Sequence, residues 1–349
     1  MTNGKKPTIK DIAERVGTST ATVHRVIYGK DGVGAKLRQR ILDEIESSNF
    51  MPDKAASTLR QSKKVIDILI PKPEEEDRFF SAEIWEGIFG AVKEFSQEKV
   101  SFRYVDCGYN LQKISKALEE LYDSDAGQIH GLITMGDDVE AINWVHRFAK
   151  RGVVVALISN IVVDIPGVYV VKASEFCMGA VAARLANLTC GERDARVLVV
   201  NGNAPAISCG HYIRSFRDNL NGRYNVDVIS GAHLSEYRQE VEEHLLNHAV
   251  DFVFACGCRA TYNLSVLLEE KKELQKSIVV GSDFFPEIVE YLESEVLTAV
   301  INQSIASQGR EAVHILVNLL TDLQYSLESS VVELPISVVF KENYSCFLK

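Results

Sequence analysis

The 349-residue chain has no apolar run near the ~20 residues that span a bilayer, and its longer ones are short segments such as Val153 to Ile158 (VVVALI). No membrane-spanning helix is therefore expected, and no membrane partner. The opening MTNGKKPTIK also lacks the apolar stretch of an export signal, so the sequence predicts a cytoplasmic protein whose seven cysteines stay reduced. Cys107, Cys177, Cys190, Cys209 and Cys346 are scattered singly. Cys256-Gly257-Cys258 has no second pair and no nearby histidine at ligand spacing, so these thiols read as core residues and no metal is expected. Val200 to Pro205 (VNGNAP) places one glycine after a strand, but no GxGxxG or GK[ST] follows, and the eight histidines form no HExxH. With no nucleophile beside a base, nothing points to an enzyme, and no cofactor is expected.

What is present concentrates at the amino terminus. Residues 1–64 hold 13 Lys and Arg against 7 Asp and Glu, a local charge of +6 inside a chain of net charge −10. The remainder carries 25 against 41, or −16, so a cationic arm precedes an anionic body. Lys5, Lys6, Lys10, Arg38, Arg40, Lys54 and Arg60 could neutralise backbone phosphates. Within the arm, TIKDIAERVGTSTATVHRVI (Thr8 to Ile27) reads as two short helices. Thr8 caps the first with Asp11 three residues on, and Ile9, Ile12, Ala13 and Val16 recur at helical spacing. Gly17 allows a sharp left-handed turn, and Ser19 caps a second helix that buries Val23, Val26 and Ile27. Its other face carries Thr20, Ala21, His24 and Arg25, and small or hydroxyl side chains near a helix start let it sink into a major groove. On that face Thr20, Ala21 and Arg25 are expected to read bases, Ser19 and Thr22 to hold phosphates, and His24 to approach the backbone.

These residues resemble the LacI-type transcription factors, the lactose and purine repressors, whose heads share the pattern TIxDIAxxxGxSxxTVxRV. The resemblance continues through a third helix, AKLRQRILDEIESSNF, into NFMP (Asn49 to Pro52) and AASTLR (Ala55 to Arg60), which is similar to that family's hinge. It implies a homodimer on a near-palindromic, double-stranded DNA operator. It also implies that the hinge folds when paired on DNA, with Leu59 wedged into the minor groove. Asp53 replaces the family's usual Asn and Ser57 its usual Arg, leaving Arg60 as the nearest cation.

From Val65 onward, short β-branched runs alternate with amphipathic stretches. VIDILIP, VSFRYVDC, GLITMG and VVVALIS form one series; a second follows after VYVV with RVLVVNG, VDVIS, DFVFACG and SIVVGSD. Buried parallel strands read as continuous apolar runs and need helical crossovers, so two parallel sheets covered by helices are implied. The fold class expected is thus an α-helical helix-turn-helix head on an α/β, bilobed body, and the body resembles the type I periplasmic sugar-binding-protein fold. The boundaries expected are a head over 1–50, a hinge over 51–63 and an effector-binding body over 64–349. Lobe crossings are expected near Val168, Ile301 and Leu327, giving an N-lobe of about 64–168 and 302–327 and a C-lobe of about 169–301 and 328–349.

Open α/β sheets bind ligands beyond the carboxyl ends of their strands. Phe79 and Phe80 look like an aromatic pair that stacks on a sugar ring. Asp283, ending VVGSD, resembles the family's sugar-binding Asp, and Gln303 the family's Gln at the lobe crossing. Several positions depart from the family. Tyr212 stands where an Arg is usual, Gly257-Cys258 where Asn-Asp is usual, and Ser159 with Asn160 where ribose binders carry Asp-Arg. The candidate effector site is therefore Phe79, Phe80, Asn160, Tyr212, Asp283 and Gln303, polar and hydroxyl-directed, for a small carbohydrate. The reading is a transcription repressor of carbohydrate metabolism. Its alternatives are an activator with the same fold, or a sugar-sensing module without regulatory DNA contacts.

Overall fold

The fold is taken from a computed structural model that describes residues 8–27, 32–48, 63–75, 78–95, 99–109, 113–124, 128–136, 138–191, 193–202, 207–221, 224–231, 233–322 and 324–348. The chain divides into two compact units, Met1–Ser62 and Lys63–Lys349.

In the first unit, α1 (Ile9–Val16) begins at a capping box in which the Thr8 hydroxyl accepts from the Asp11 N–H and the Asp11 carboxylate accepts from the Thr8 N–H at 2.7 Å. It ends at Gly17, whose φ of 71° turns the chain, and α2 (Thr20–Ile27) follows after two residues. In α3 (Ala35–Ser47), Arg40 donates to the Val16 carbonyl at 3.2 Å and Arg15 meets Glu44 at 3.0 Å. Ile12, Ala13, Val16, Val23, Val26 and Ile41 form the core of these three helices.

The second unit opens with a regular alternation: β1 (Lys64–Leu69), α4 (Arg78–Val92), β2 (Val100–Tyr104), α5 (Ile114–Ser124), β3 (Gly131–Met135), α6 (Val139–Lys150) and β4 (Val154–Ile158). Next come β5 (Val168–Ala173), α7 (Glu175–Cys190), β6 (Ala195–Asn201), α8 (Ile207–Asp218), β7 (Tyr224–Ser230), α9 (Leu234–Asn247) and β8 (Phe252–Cys256). The chain closes with α10 (Cys258–Glu270), β9 (Ile278–Ser282), α11 (Val289–Glu293), β10 (Ala299–Asn302), α12 (Ile305–Thr321), β11 (Val331–Leu334) and β12 (Ser337–Val339). Two six-stranded sheets result, in the orders β11-β5-β4-β3-β1-β2 and β12-β10-β9-β8-β6-β7. The first is parallel throughout, and in the second β12 runs antiparallel to β10. Parallel strands need helical crossovers and bury both faces, which is why β3 and β8 are buried at every position.

The lobe crossings lie elsewhere than expected near Val168 and Leu327. Val168 to Val171 pair with Val155 to Ile158 in the first sheet, and Val331 to Leu334 pair with Val170 to Ala173. The chain therefore leaves the first lobe after Ala173 and leaves it again between Leu334 and Ser337, so residues 169–173 and 328–334 belong with the first lobe. The return crossing falls after Asn302, beside the expected Ile301. It delivers α12 onto α4, where Gly87 and Gly309 let two helix backbones meet. A Cβ on Gly87 would strike the Ala306 carbonyl, and one on Gly309 the Ile84 carbonyl.

Candidate functional site

The recognition face of α2 follows from its capping. Ser19 Oγ accepts from the Thr22 N–H at 3.1 Å and lies 2.9 Å from Thr22 Oγ1, so both hydroxyls sit over the amino-terminal turn of the helix, where the backbone dipole favours an anion. With Val23 and Val26 turned into the core, Ser19, Thr20, Ala21, His24 and Arg25 are left exposed and Thr22 half-buried. Arg38 is half-buried, and Lys10 lies 4.0 Å from Glu14 on an exposed face. Leu59 and Arg60, with Lys5, Lys6 and Lys54, lie outside the described residues.

In the body, the strand order reverses direction between β1 and β3 and between β6 and β8, and the carboxyl ends of these strands carry the candidate cleft. Asp283 follows β9 with a φ of 70°, a left-handed conformation that costs a non-glycine residue on the order of 1–3 kcal/mol. Its N–H donates to the Ile301 carbonyl at 2.8 Å, and its side chain is 1% exposed. Cys258, the first residue of α10, donates its thiol hydrogen to Asp283 Oδ2 at 2.9 Å. Oδ1 is buried and makes no hydrogen bond among the described residues. Burial pushes the Asp283 carboxyl up to about 6, against the pull of the Cys258 thiol and of the nearby Gln303 amide and N–H, with the charge of Glu83 from the first lobe adding to the rise. The same physics holds the Cys258 thiol well above its usual range, through burial first and the Asp283 charge second.

Phe79, at the start of α4, is buried across the lobe boundary. Its ring centroid lies 4.8 Å from Tyr262 on α10 and 4.7 Å from Phe285 beyond β9, and the Arg78 guanidinium caps it at 4.1 Å. Its ring is engaged by these three neighbours. Phe80 and Asn160 are half-buried, Phe80 against the core and Asn160 after β4, where Ser159 Oγ accepts from the Ile161 N–H. Gln303 is buried after β10, and its carbonyl accepts from the Gln308 amide at 3.1 Å.

Tyr212 departs from its expected place. On α8 it turns into the second-lobe core and donates its hydroxyl to Met178 Sδ, while burial first, and then the Asp283 charge, raise its pKa well above 10. An aromatic ring in a position flanked by Met178, Cys209 and Cys256 gains more from packing than from exposure. Sequence reasoning missed Cys258, Tyr262, Phe285 and Arg78. Cys256 is a fully buried core thiol as expected, but Cys258 sits at the cleft carboxylate. The signal available was its place directly after a strand end. Among the described residues no group of three His, Cys, Asp or Glu could hold a metal ion, and no helix is long and apolar enough to cross a membrane.

Comparison with known proteins matches residues 68–324 to the periplasmic binding protein domain and residues 8–53 to the bacterial regulatory proteins of the lacI family. The HTH-type transcriptional regulator MalR of Staphylococcus xylosus is 32% identical over 97 residues, covering 27% of this chain and 29% of that protein. Such matches to the first curated relatives span less than half of those proteins. The ribose operon repressor of Lactococcus lactis aligns nearly end to end, 24% identical over 96% of this chain and 97% of its own length. A solved putative LacI transcriptional regulator from Bacteroides fragilis shares the fold with a TM-score of 0.70 at 16% identity, over 82% of this chain and 99% of that one.

Proposed function

Because the chain belongs over residues 68–324 to the periplasmic binding protein domain family and carries a lacI-family regulatory segment over residues 8–53, we propose that it is a sequence-specific DNA-binding transcription repressor whose operator affinity is set by a small sugar effector. The observation that carries this reading is the union, in one chain, of an exposed Thr20-Ala21-Arg25 face on α2 with a two-sheet body that buries an unpartnered carboxylate oxygen at Asp283. The relatives named above are regulators, and the reading assigns no reaction to this chain.

Thr20, Ala21 and Arg25 read base edges, Ser19 and Thr22 hold phosphates at the helix start, and His24 approaches the backbone. The hinge adds Leu59 as a minor-groove wedge and Arg60 as a phosphate contact. Asp283 accepts from an effector hydroxyl with Gln303 beside it, Asn160 contributes from the end of β4, and Phe79 and Phe80 offer aromatic surface once the lobes part. Closure on the effector shifts the first lobes of a homodimer and separates the paired hinges, which releases the operator in the cytoplasm. The homodimer is supported by an exposed aromatic cluster: Trp85 and Phe89 stack at 5.2 Å, Tyr104 joins them from edge strand β2, and Phe89 and Tyr104 remain 44% and 52% exposed. Exposed apolar clusters of this kind mark contact surfaces.

The test is a selection of DNA sites by the full-length protein, followed by anisotropy titration of the selected duplex with and without neutral pentoses and hexoses. A palindromic site whose affinity falls at least tenfold with one sugar supports the reading. Absence of any selected sequence overturns it.

A further inference from the structure

The carboxyl ends of β8 and β9 lie side by side, because Phe254 pairs with Val280 in a parallel register, and this places Cys258 beside Asp283. The two residues make an asymmetric acceptor. Oδ2 is occupied at 2.9 Å by a thiol that sits at the first turn of α10 and is 8% exposed, while Oδ1 is buried and, although the Gln303 amide and N–H lie near the carboxylate, makes no hydrogen bond of normal geometry among the described residues. A carboxylate with both oxygens open can receive two adjacent hydroxyls as a bidentate pair, one on each oxygen; with one oxygen already holding a donor, that paired seat is lost and the open oxygen is the one presented to a ligand. An unpaired buried acceptor is costly, so Oδ1 marks where a ligand donor would be gained.

We infer that Cys258 is a specificity-determining residue of the effector cleft: by holding Asp283 Oδ2 it leaves Oδ1 for the effector, which engages this wall through one hydroxyl and not through a vicinal diol. The inference rests on the reading that the body binds a sugar-like effector. The thiol remains a donor at neutral pH, because burial and the Asp283 charge keep its proton on. Tyr212 offers no competing hydroxyl, since its own is spent on Met178.

The test uses the full-length protein. Neutral pentoses and hexoses are screened by thermal shift, and the best-binding sugar is compared by calorimetry with its monodeoxy analogues in wild type, Cys258→Ala and Cys258→Ser. In Cys258→Ala, Oδ2 is freed, and removal of one further hydroxyl, adjacent to the first, acquires a penalty of about tenfold that wild type does not show. Cys258→Ser restores the donor and the wild-type profile. Identical deoxy profiles in wild type and Cys258→Ala, or a Cys258→Ser profile like that of Cys258→Ala, overturn the assignment. Should Cys258→Ala not fold, the alkylation of wild-type Cys258 by N-ethylmaleimide, resolved by mass spectrometry, decides. The assignment expects the bound sugar to slow it at least tenfold, and an unchanged rate overturns it. If no sugar shifts the wild-type midpoint while operator binding persists, the effector reading itself fails and takes the assignment with it. A sugar that binds with unchanged profiles overturns the assignment alone.

Discussion

Cys258 donates to one oxygen of the Asp283 carboxylate at 2.9 Å and leaves the other buried without a hydrogen bond among the described residues. The folded protein therefore carries a poorly compensated carboxylate in the cleft. Its pKa is raised from 3.8 to about 6, so between those values the folded chain holds a proton that the unfolded chain has lost. Stability from this group is then greatest below pH 4, declines as the pH rises towards 6, and above that carries a cost of about 3 kcal/mol. Asp283→Asn should raise the thermal midpoint at pH 7.5 by a few degrees, with the gain shrinking towards pH 4. Midpoints that differ equally at both pH values would remove the titration as the cause.

Arg25 is exposed on α2, where its guanidinium can pair bidentately with O6 and N7 of guanine. Arg25→Ala should relax selection at one base pair of each half-site, a loss of ~1–3 kcal/mol of discrimination, while the fold is untouched. Site selection returning the wild-type sequence would exclude Arg25 from base reading.

Phe89 and Tyr104 form part of the exposed cluster on α4 and β2. Phe89→Glu places a charge in that surface and should convert dimer to monomer in sedimentation, with operator affinity lowered at least tenfold. A Phe89→Glu dimer of unchanged stability would place the contact elsewhere.

Leu59 is expected to enter the minor groove, where an inserted apolar side chain unstacks and kinks the duplex. Leu59→Ala should weaken operator binding and reduce DNA bending, measured by the end-to-end distance of a labelled duplex, without altering effector affinity. Equal bending by wild type and variant would remove the wedge from the mechanism.

Much of this architecture is legible in local patterns. The Thr8 and Asp11 spacing, Gly17 and the Val23, Val26 periodicity specify the head by short-range hydrogen bonds and by one buried face, and the apolar runs specify the strands. Lobe membership is a long-range property: the run Val168 to Ala173 reads as a strand, but its partners at Val155 and Val331 are set by the sheet. The cleft is divided in the same way. The strand-end rule locates Asp283 and Gln303 from sequence position. The thiol on Oδ2, the turn of Tyr212 towards Met178 and the burial of Phe79 between Tyr262 and Phe285 depend on side chains brought together from distant segments.

The central claim, that a ligand at Asp283 controls DNA binding by the head, is tested most directly by titrating the selected operator with wild type and Asp283→Ala, each with and without the best-binding sugar. The account predicts that the sugar weakens wild-type operator binding at least tenfold, and that Asp283→Ala binds the operator as wild type does without sugar and no longer responds to it. A full response retained by Asp283→Ala would contradict it.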